Sequence, residues 1–372
     1  MKKILLVIGT RPEAVKMSPL VAELKGRANV ELHVLLTGQH GSMINSVLKD
    51  TGIVPDTRLP DVPAGLTLSQ LFVHLMNGLE PIMRGAPWDW VVVQGDTSSA
   101  LAGALQGFYH KIKVAHVEAG LRTGDRFAPW PEEVNRCMIA PIAEAHFAPT
   151  ETSREALLRE SIPPERVFLT GNTVVDALHA ACRKLDQLGI PEALSPWSDF
   201  LAIPGEALLV TTHRRENLDG GISLVCDAIL RILAQRPTAR VMFPVHLNPL
   251  VRDVVVGKLG DHERVCLLPP MDYLSFVWLM RRSDVILSDS GGVQEEAPGL
   301  GKPVVVLRDV TERPEAVDAG FARLVGTDAD QIVASVCGLL DQAPELRCPP
   351  VDHNPFGDGR AAAKIADVLE NC

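Results

Sequence analysis

Short apolar runs recur along the chain, each followed by a polar or glycine-bearing turn and a longer amphipathic stretch. In the first half they cover residues 4–8, 32–36, 90–93, 114–117, 146–149 and 167–169. In the second half they cover 208–211, 241–245, 265–268, 285–287 and 304–307. The runs are continuous Val, Ile and Leu rather than alternating, as expected of strands buried on both faces of a parallel sheet. Strands that alternate with helices build βαβ units. Residues 173–188 read as one helix, with Val175, Leu178, Ala181 and Leu185 near helical spacing. Residues 190–205, with Pro191, Pro196 and Pro204, show no helical period, so a boundary is expected near Gly171-Asn172. The pattern predicts two Rossmann-like α/β domains, 1–171 and 172–359, with parallel sheets facing a central cleft, and a final amphipathic helix from 360 to the end. In such sheets ligands sit at the carboxyl ends of the strands.

Composition narrows the function. A chain of 372 residues suits two such domains. Hydrophobic residues at 46% and charged residues at 22% are ordinary for a soluble protein. A formal net charge of −10 argues against nucleic-acid binding, which needs clustered Lys and Arg. It leaves room for one anionic small molecule at a helix N-terminus. No apolar stretch approaches the length of a membrane span. The opening run ends at once in Gly9, Arg11 and Glu13, which fits a first strand better than a signal peptide. Cysteines at 137, 182, 226, 266, 337, 348 and 372 form no CxxC, which suits a reducing cytosol and neither disulfides nor a zinc site.

The strand ends carry the candidate chemistry. After the first run comes Gly9-Thr10-Arg11-Pro12-Glu13, then Lys16. This is neither a P-loop nor GxGxxG, yet its turn, helix-opening Pro and two cations suit a phosphate or carboxylate as well as a plain helix start. Asp96 follows one strand within Gln94-Gly95-Asp96-Thr97, and Glu118 follows the next within Glu118-Ala119-Gly120-Leu121-Arg122. Glu132 and Glu133 open a helix, where acids commonly offset the helix dipole. Three carboxylates at such positions are what proton transfer to and from carbon needs; spacing leaves open whether they meet. The second domain begins with Thr211-Thr212-His213-Arg214-Arg215, an anion-site candidate. Ser288-Asp289-Ser290-Gly291-Gly292 leads from a strand into a helix, serving as a pyrophosphate cradle or a simple N-cap. Glu296 lies a turn further on, within reach of ribose hydroxyls, and Arg313 follows in Thr311-Glu312-Arg313-Pro314-Glu315. Tyr273, Phe276, Val277 and Met280 recur at helical spacing and read mainly as core, with one of them free to pack on a base.

Taken in order, these motifs resemble the bacterial non-hydrolysing UDP-N-acetylglucosamine 2-epimerases. Those that carry the resemblance are Gly9–Ala14, Gly95–Thr97, His116–Arg122, Pro131–Arg136, Pro244–Pro249, His213–Glu216, Asp289–Gly292, Thr311–Glu315 and His353–Gly359. The resemblance implies a glycosyltransferase-B-like fold, a homodimer, and a last helix (360–372) that packs back on the N-terminal domain. It implies reversible conversion of UDP-N-acetylglucosamine to UDP-N-acetylmannosamine in the cytoplasm, without NAD or metal, for surface polysaccharide synthesis. Carried over, Asp96, Glu118, Glu132 and His213 look catalytic. Arg11, Lys16, Phe276, Ser290, Gly291, Gly292, Glu296 and Arg313 look like nucleotide-sugar contacts. Gln39-His40, Arg214 and His246 resemble parts of a second, allosteric UDP-N-acetylglucosamine site. Gly41, Ser42 and Met271 depart from the family pattern, the first two at that second site and Met271 near the uracil.

Overall fold

Every apolar run becomes a parallel strand in the computed structural model, which describes residues 1–212 and 220–372. The chain divides into two units, Met1–Ala177 with Phe356–Cys372, and Leu178–Pro355. The first contains β1 (Lys2–Ile8), α1 (Arg11–Lys25), β2 (Val30–Leu36), α2 (Asn45–Thr51), β3 (Thr57–Arg58), α3 (Leu68–Gly85), β4 (Trp90–Gln94) and α4 (Ser98–Tyr109). It continues with β5 (Lys113–Val117), α5 (Glu132–Ile139), β6 (Ala145–Ala148), α6 (Glu151–Arg159), β7 (Val167–Leu169) and the start of α7 (Thr173–Leu188). The second contains α8 (Ser198–Ala202), β8 (Ala207–Thr211), α9 (Gly221–Gln235), β9 (Arg240–Pro244), α10 (Pro249–Leu259), β10 (Val265–Leu268) and α11 (Tyr273–Arg282). After these come β11 (Val285–Ser288), α12 (Gly291–Glu296), β12 (Val304–Val306), α13 (Pro314–Asp318), β13 (Ala322–Leu324) and α14 (Ala329–Leu340). The closing helix, α15 (Ala361–Asn371), belongs to the first unit.

Among the described residues the first sheet has the order β3-β2-β1-β4-β5-β6-β7 and the second β10-β9-β8-β11-β12-β13. Each chain path starts in mid-sheet, runs to one edge, then returns to fill the other. That reversal leaves a crevice outside the carboxyl ends of β1 and β4 in one unit, and of β8 and β11 in the other. Such switch points are where an open α/β sheet takes its ligand.

The cores explain the unbroken apolar runs. In the first unit Leu5, Val7, Val91 and Val93 pack against Leu75, Leu79 and Met83 of α3 and Ala100 and Ala104 of α4. In the second Val210, Phe243, Leu287 and Val305 pack against Ile229 and Ile232 of α9, Val255 of α10 and Ile332 and Val336 of α14. Each such Val, Leu, Ile, Phe or Met side chain, fully buried, contributes about 1.5–3 kcal/mol.

The two strands without an apolar signal, β3 and β13, are both edge strands of two and three residues. An edge strand needs no second buried face, so its sequence need not be apolar. Residues 190–205, aperiodic by sequence, contain a 3₁₀ turn, Glu192–Trp197, and the short α8. The last helix packs beside α1 within the first unit. Arg27 donates from Nη1 to Glu370 at 3.0 Å and pairs with Asp367 at 2.8 Å. Asp176 accepts from the backbone N–H groups of Ala361 (3.2 Å) and Ala362 (2.9 Å), which caps α15. No described helix is long and apolar enough to cross a membrane.

Candidate active site

At the switch point of the first unit, Thr10 caps α1 and Arg11 is its first residue. Gly9 admits a close approach: a Cβ there would lie 2.1 Å from Ser99 Oγ at the start of α4. The Arg11 backbone N–H donates to His40 Nδ1 at 3.2 Å. Burial, with Arg11 nearby, holds the His40 imidazolium below its usual pKa. Gln39 accepts from Ser99 Oγ (2.6 Å) and Ser99 N (3.2 Å), so the loop after β2 is tied to α4 as well.

Asp96 and Glu118 follow β4 and β5, which pair in register at Gln94 and Val117. Neighbouring parallel strands therefore deliver both carboxylates to the carboxyl-terminal end of the sheet. Each is held by a cation from a helix. Arg136 of α5, buried, donates from Nη2 to Asp96 at 2.5 Å, and Asn135 Nδ2 donates to the Asp96 carbonyl at 2.7 Å. Lys16 of α1 donates to both oxygens of Glu118, at 2.6 and 2.8 Å, and Gln94 Nε2 donates to Glu118 Oε2. Glu118 has φ +62°, a left-handed conformation that costs a non-glycine residue on the order of 1–3 kcal/mol. Strain of this kind persists where surrounding contacts over-determine it, and the Lys16 and Gln94 bonds to a side chain only 4% exposed do so. His116, between them on β5, bonds through Nε2 to the Gly95 carbonyl at 2.7 Å; burial lowers its pKa to about 3 and keeps it neutral.

The adjacent acids of α5 separate. Glu132 opens the helix half-buried, whereas Glu133 is buried and accepts from Thr123 N and Gly124 N at 3.1 Å and from Arg136 Nη1 at 3.3 Å. Glu133 shapes the loop before the helix and braces Arg136, leaving Glu132 as the acid of the pair available at the surface. Lys16, expected as a nucleotide-sugar contact, is engaged with Glu118.

In the second unit the switch point lies between Thr212, after β8, and Asp289, after β11. Thr212 Oγ1 donates to the fully buried Asp289 at 2.7 Å. Ser290 is the N-cap residue of α12, and its N–H donates to Ser288 Oγ at 3.0 Å. Arg313 lies against the glycine turn: a Cβ on Gly291 would be 3.3 Å from its Cζ. Arg313 Nε donates to Glu295 Oε1 at 2.8 Å and Nη1 to Glu312 at 3.3 Å. Tyr273 Oη donates to Glu296 Oε1 at 2.7 Å, and burial, together with this neighbouring carboxylate, raises the tyrosine well above its usual pKa. Val277 and Met280 are fully buried, while Tyr273 and Phe276 are only half-buried. Thus Ser290, Gly291, Gly292, Glu296 and Arg313 gather at one strand end, with Phe276 on the same helix as Tyr273. His246 is exposed and its Nδ1 accepts from Asn248 N at 3.1 Å. His213 and Arg214 lie outside the described residues. No three His, Cys, Asp or Glu among the described residues are arranged to hold a metal ion.

The sequence reads Glu133 only as an acid offsetting the helix dipole and gives Gln94 and Arg136 no role of their own, although Arg136 stands one helical turn after Glu132 on α5, within reach of a helical-face argument. Glu13 is likewise given no role of its own by the sequence. Its Thr10-x-x-Glu13 spacing is a legible capping box, but its bond to Thr97 at 2.5 Å joins residues 84 apart.

Two Rossmann-like α/β units, each with its equipped strand ends at a topological switch point, place the protein in the glycosyltransferase-B-like class. The chain matches the family described as UDP-N-acetylglucosamine 2-epimerase over residues 22–370. It is 47% identical to the UDP-N-acetylglucosamine 2-epimerase of Salmonella typhimurium over 370 residues, which are 99% of this chain and 98% of that one. Its structure resembles the crystal structure of UDP-GlcNAc 2-epimerase from Neisseria meningitidis bound to UDP-GlcNAc, with TM-score 0.90, 42% identity and 99% of each chain covered. It also resembles the Methanocaldococcus jannaschii UDP-GlcNAc 2-epimerase in complex with UDP-GlcNAc and UDP, with TM-score 0.82, 33% identity and 99% of each chain covered. The chain belongs to the UDP-N-acetylglucosamine 2-epimerase family and is an isomerase.

Proposed function

We propose that the protein reversibly inverts C2 of UDP-N-acetylglucosamine to give UDP-N-acetylmannosamine, without hydrolysis and without NAD or metal. The observation that carries this reading is the pair of carboxylates, Asp96 and Glu118, at adjacent strand ends, each clamped by a helix-borne cation. The C2 hydrogen of the sugar has no carbonyl beside it and is barely acidic. Departure of UDP makes C1 oxocarbenium-like and acidifies that hydrogen. Elimination leaves a 2-acetamidoglucal; UDP then adds back to C1 as a proton reaches C2 from the opposite face.

This route needs stabilised anions and placed acids. Arg11, Arg313, His213 and the Ser290–Gly292 turn hold the departing UDP, with Phe276 against the base and Glu296 on the ribose. Asp96, Glu118 and Glu132 steady positive charge near C1 and move the proton on the two faces. Lys16, paired with Glu118, acts on the sugar side rather than as a free phosphate contact. Acid–base help of this kind is worth roughly 10²–10⁴-fold, with positioning and preorganised charge supplying the remainder. Gln39, Arg214 and His246 are parts of the second, regulatory UDP-N-acetylglucosamine site; the bonds to Ser99 use Gln39 Oε1 and not its amide N–H groups. The enzyme acts as a homodimer in the cytoplasm, and its product feeds surface polysaccharide.

The test is positional isotope exchange with substrate carrying ¹⁸O in the bridge between C1 and the β-phosphorus. Breaking the C1–O bond frees the β-phosphate to rotate, so ³¹P NMR should show label in non-bridging positions as epimerisation proceeds. Inversion at C2 with the label confined to the bridge contradicts elimination; free N-acetylmannosamine contradicts the non-hydrolysing assignment.

A further inference from the structure

Glu13 sits where the switch point of the first unit closes, and the reaction as described makes no use of it. It is 2% exposed. Its Oε2 accepts from Gly9 N at 2.6 Å and Thr10 N at 2.5 Å; its Oε1 accepts from Thr97 Oγ1 at 2.5 Å. Thr97 in turn accepts from Ala100 N at 3.1 Å as the N-cap of α4. One carboxyl thus stands between the N-termini of two helices and ties the turn after β1 to the turn after β4. Burial outweighs these hydrogen bonds and pushes its pKa up to about 7.

A capping box accounts for only part of this. That motif needs the bond to Thr10 N and is normally met at the surface, where Gln serves as well as Glu. The bonds to Gly9 N and Thr97 exceed it, and they need a side chain buried at a desolvation cost that a surface cap avoids. Each end of the bridge is one residue from a group assigned to the chemistry. Gly9 and Thr10 lead into Arg11, and Thr97 follows Asp96.

We propose that Glu13 is a positioning residue for the epimerisation: it locks the Gly9–Arg11 turn to the Asp96–Thr97 turn and so fixes Asp96 relative to Arg11. The inference rests on the assignment of those two residues under the proposed function. The bridge holds in either protonation state. An ionised Glu13 accepts from Thr97, whereas a neutral one keeps both backbone bonds on Oε2 and donates from Oε1 to Thr97. Of the titratable groups, Arg11, Lys16 and Asp96 lie on these turns or in the first turns of α1 and α4, and His40 bonds to Arg11 N; Lys16 and Asp96 are engaged by Glu118 and Arg136.

The test compares Glu13→Gln, Glu13→Ala and Thr97→Val in the full-length enzyme with UDP-N-acetylglucosamine. The Gln variant keeps every bond, through one oxygen to the two N–H groups and its amide N–H to Thr97. It should retain kcat within a few-fold and share the wild-type pH profile. Glu13→Ala should lose about 10²-fold in kcat, the scale of a 1 Å misplacement, with KM within a few-fold and an unchanged circular dichroism spectrum. Thr97→Val breaks the far end, and the α4 cap with it, while leaving the α1 capping box intact, so it tests the bridge even if the Ala variant does not fold. It should also lower kcat, and the double variant should be no worse than the poorer single one. An inactive Glu13→Gln, with a wild-type pH limb that it lacks, overturns positioning in favour of direct proton transfer. Wild-type kcat in folded Glu13→Ala, or in Thr97→Val, overturns the bridge. If wild type itself does not epimerise, the proposed function fails first; if it does and the variants depart from this pattern, only the bridge fails.

Discussion

Asp96, Glu118, Glu132 and Glu133 are the same kind of acid, and their partners make them different. Glu133 holds a loop and a cation from a buried position, while Asp96 keeps a side chain 27% exposed at a strand end, braced by Arg136. A braced but accessible carboxylate is suited to meet a substrate. Asp96→Asn keeps the shape and removes the charge and the proton acceptor. Its kcat should fall by roughly 10²–10⁴-fold, the worth of one acid–base group, while calorimetric affinity for UDP stays within a few-fold. A variant that loses UDP affinity and turnover in equal measure assigns Asp96 to binding instead. Sequence showed which acids end strands, because a strand's direction fixes where the next residue falls. It did not show their cations: Lys16 and Glu118 lie 102 residues apart and Arg136 and Asp96 lie 40 apart, pairings only the folded sheet creates.

Strands and helices were the legible level. Runs buried on both faces must be apolar, so the central strands announced themselves; β3 and β13, short and at the edges, had no such requirement. Burial also leaves a mark within the strands. His116 on β5 and His146 on β6 stand opposite each other in register, and both are buried in the sheet. Burial lowers His146 from its ordinary 6.5 to about 4. Between those values the unfolded chain binds the proton and the folded one does not, so stability rises with pH and is lost on acidification through 6.5. At pH 5 this amounts to about 2 kcal/mol for the single site. His146→Leu removes the titration, so between pH 7.5 and pH 5 it should lose about that much less unfolding free energy in urea than wild type. Equal losses for both proteins contradict the assignment. The pairing of the two histidines was not visible in the sequence, since register is a property of two strands together.

At the scale of the whole molecule, one topology appears twice with different endings. Both units place a buried acid–threonine bond at the switch point, Glu13 with Thr97 in one and Asp289 with Thr212 in the other. Beyond that bond the chemistry diverges. The first unit gathers carboxylates; the second has a glycine turn against an arginine. A chain of net charge −10 thus presents cations locally, at strand ends, and an anion is met by placement rather than by overall charge. The resemblance of ordered motifs over the whole length, rather than the strand ends of either unit, is what points to a nucleotide sugar. On the proposed function, carboxylates at the carboxyl ends of β4 and β5 exchange the proton at C2. Incubating the enzyme with UDP-N-acetylglucosamine in D₂O, without NAD or added metal, and following the sugar by proton NMR tests it most directly. UDP-N-acetylmannosamine carrying deuterium at C2 should form, with exchange lost in Asp96→Asn. Epimer formed with the original hydrogen retained at C2, or bound substrate that neither exchanges nor inverts, would contradict it.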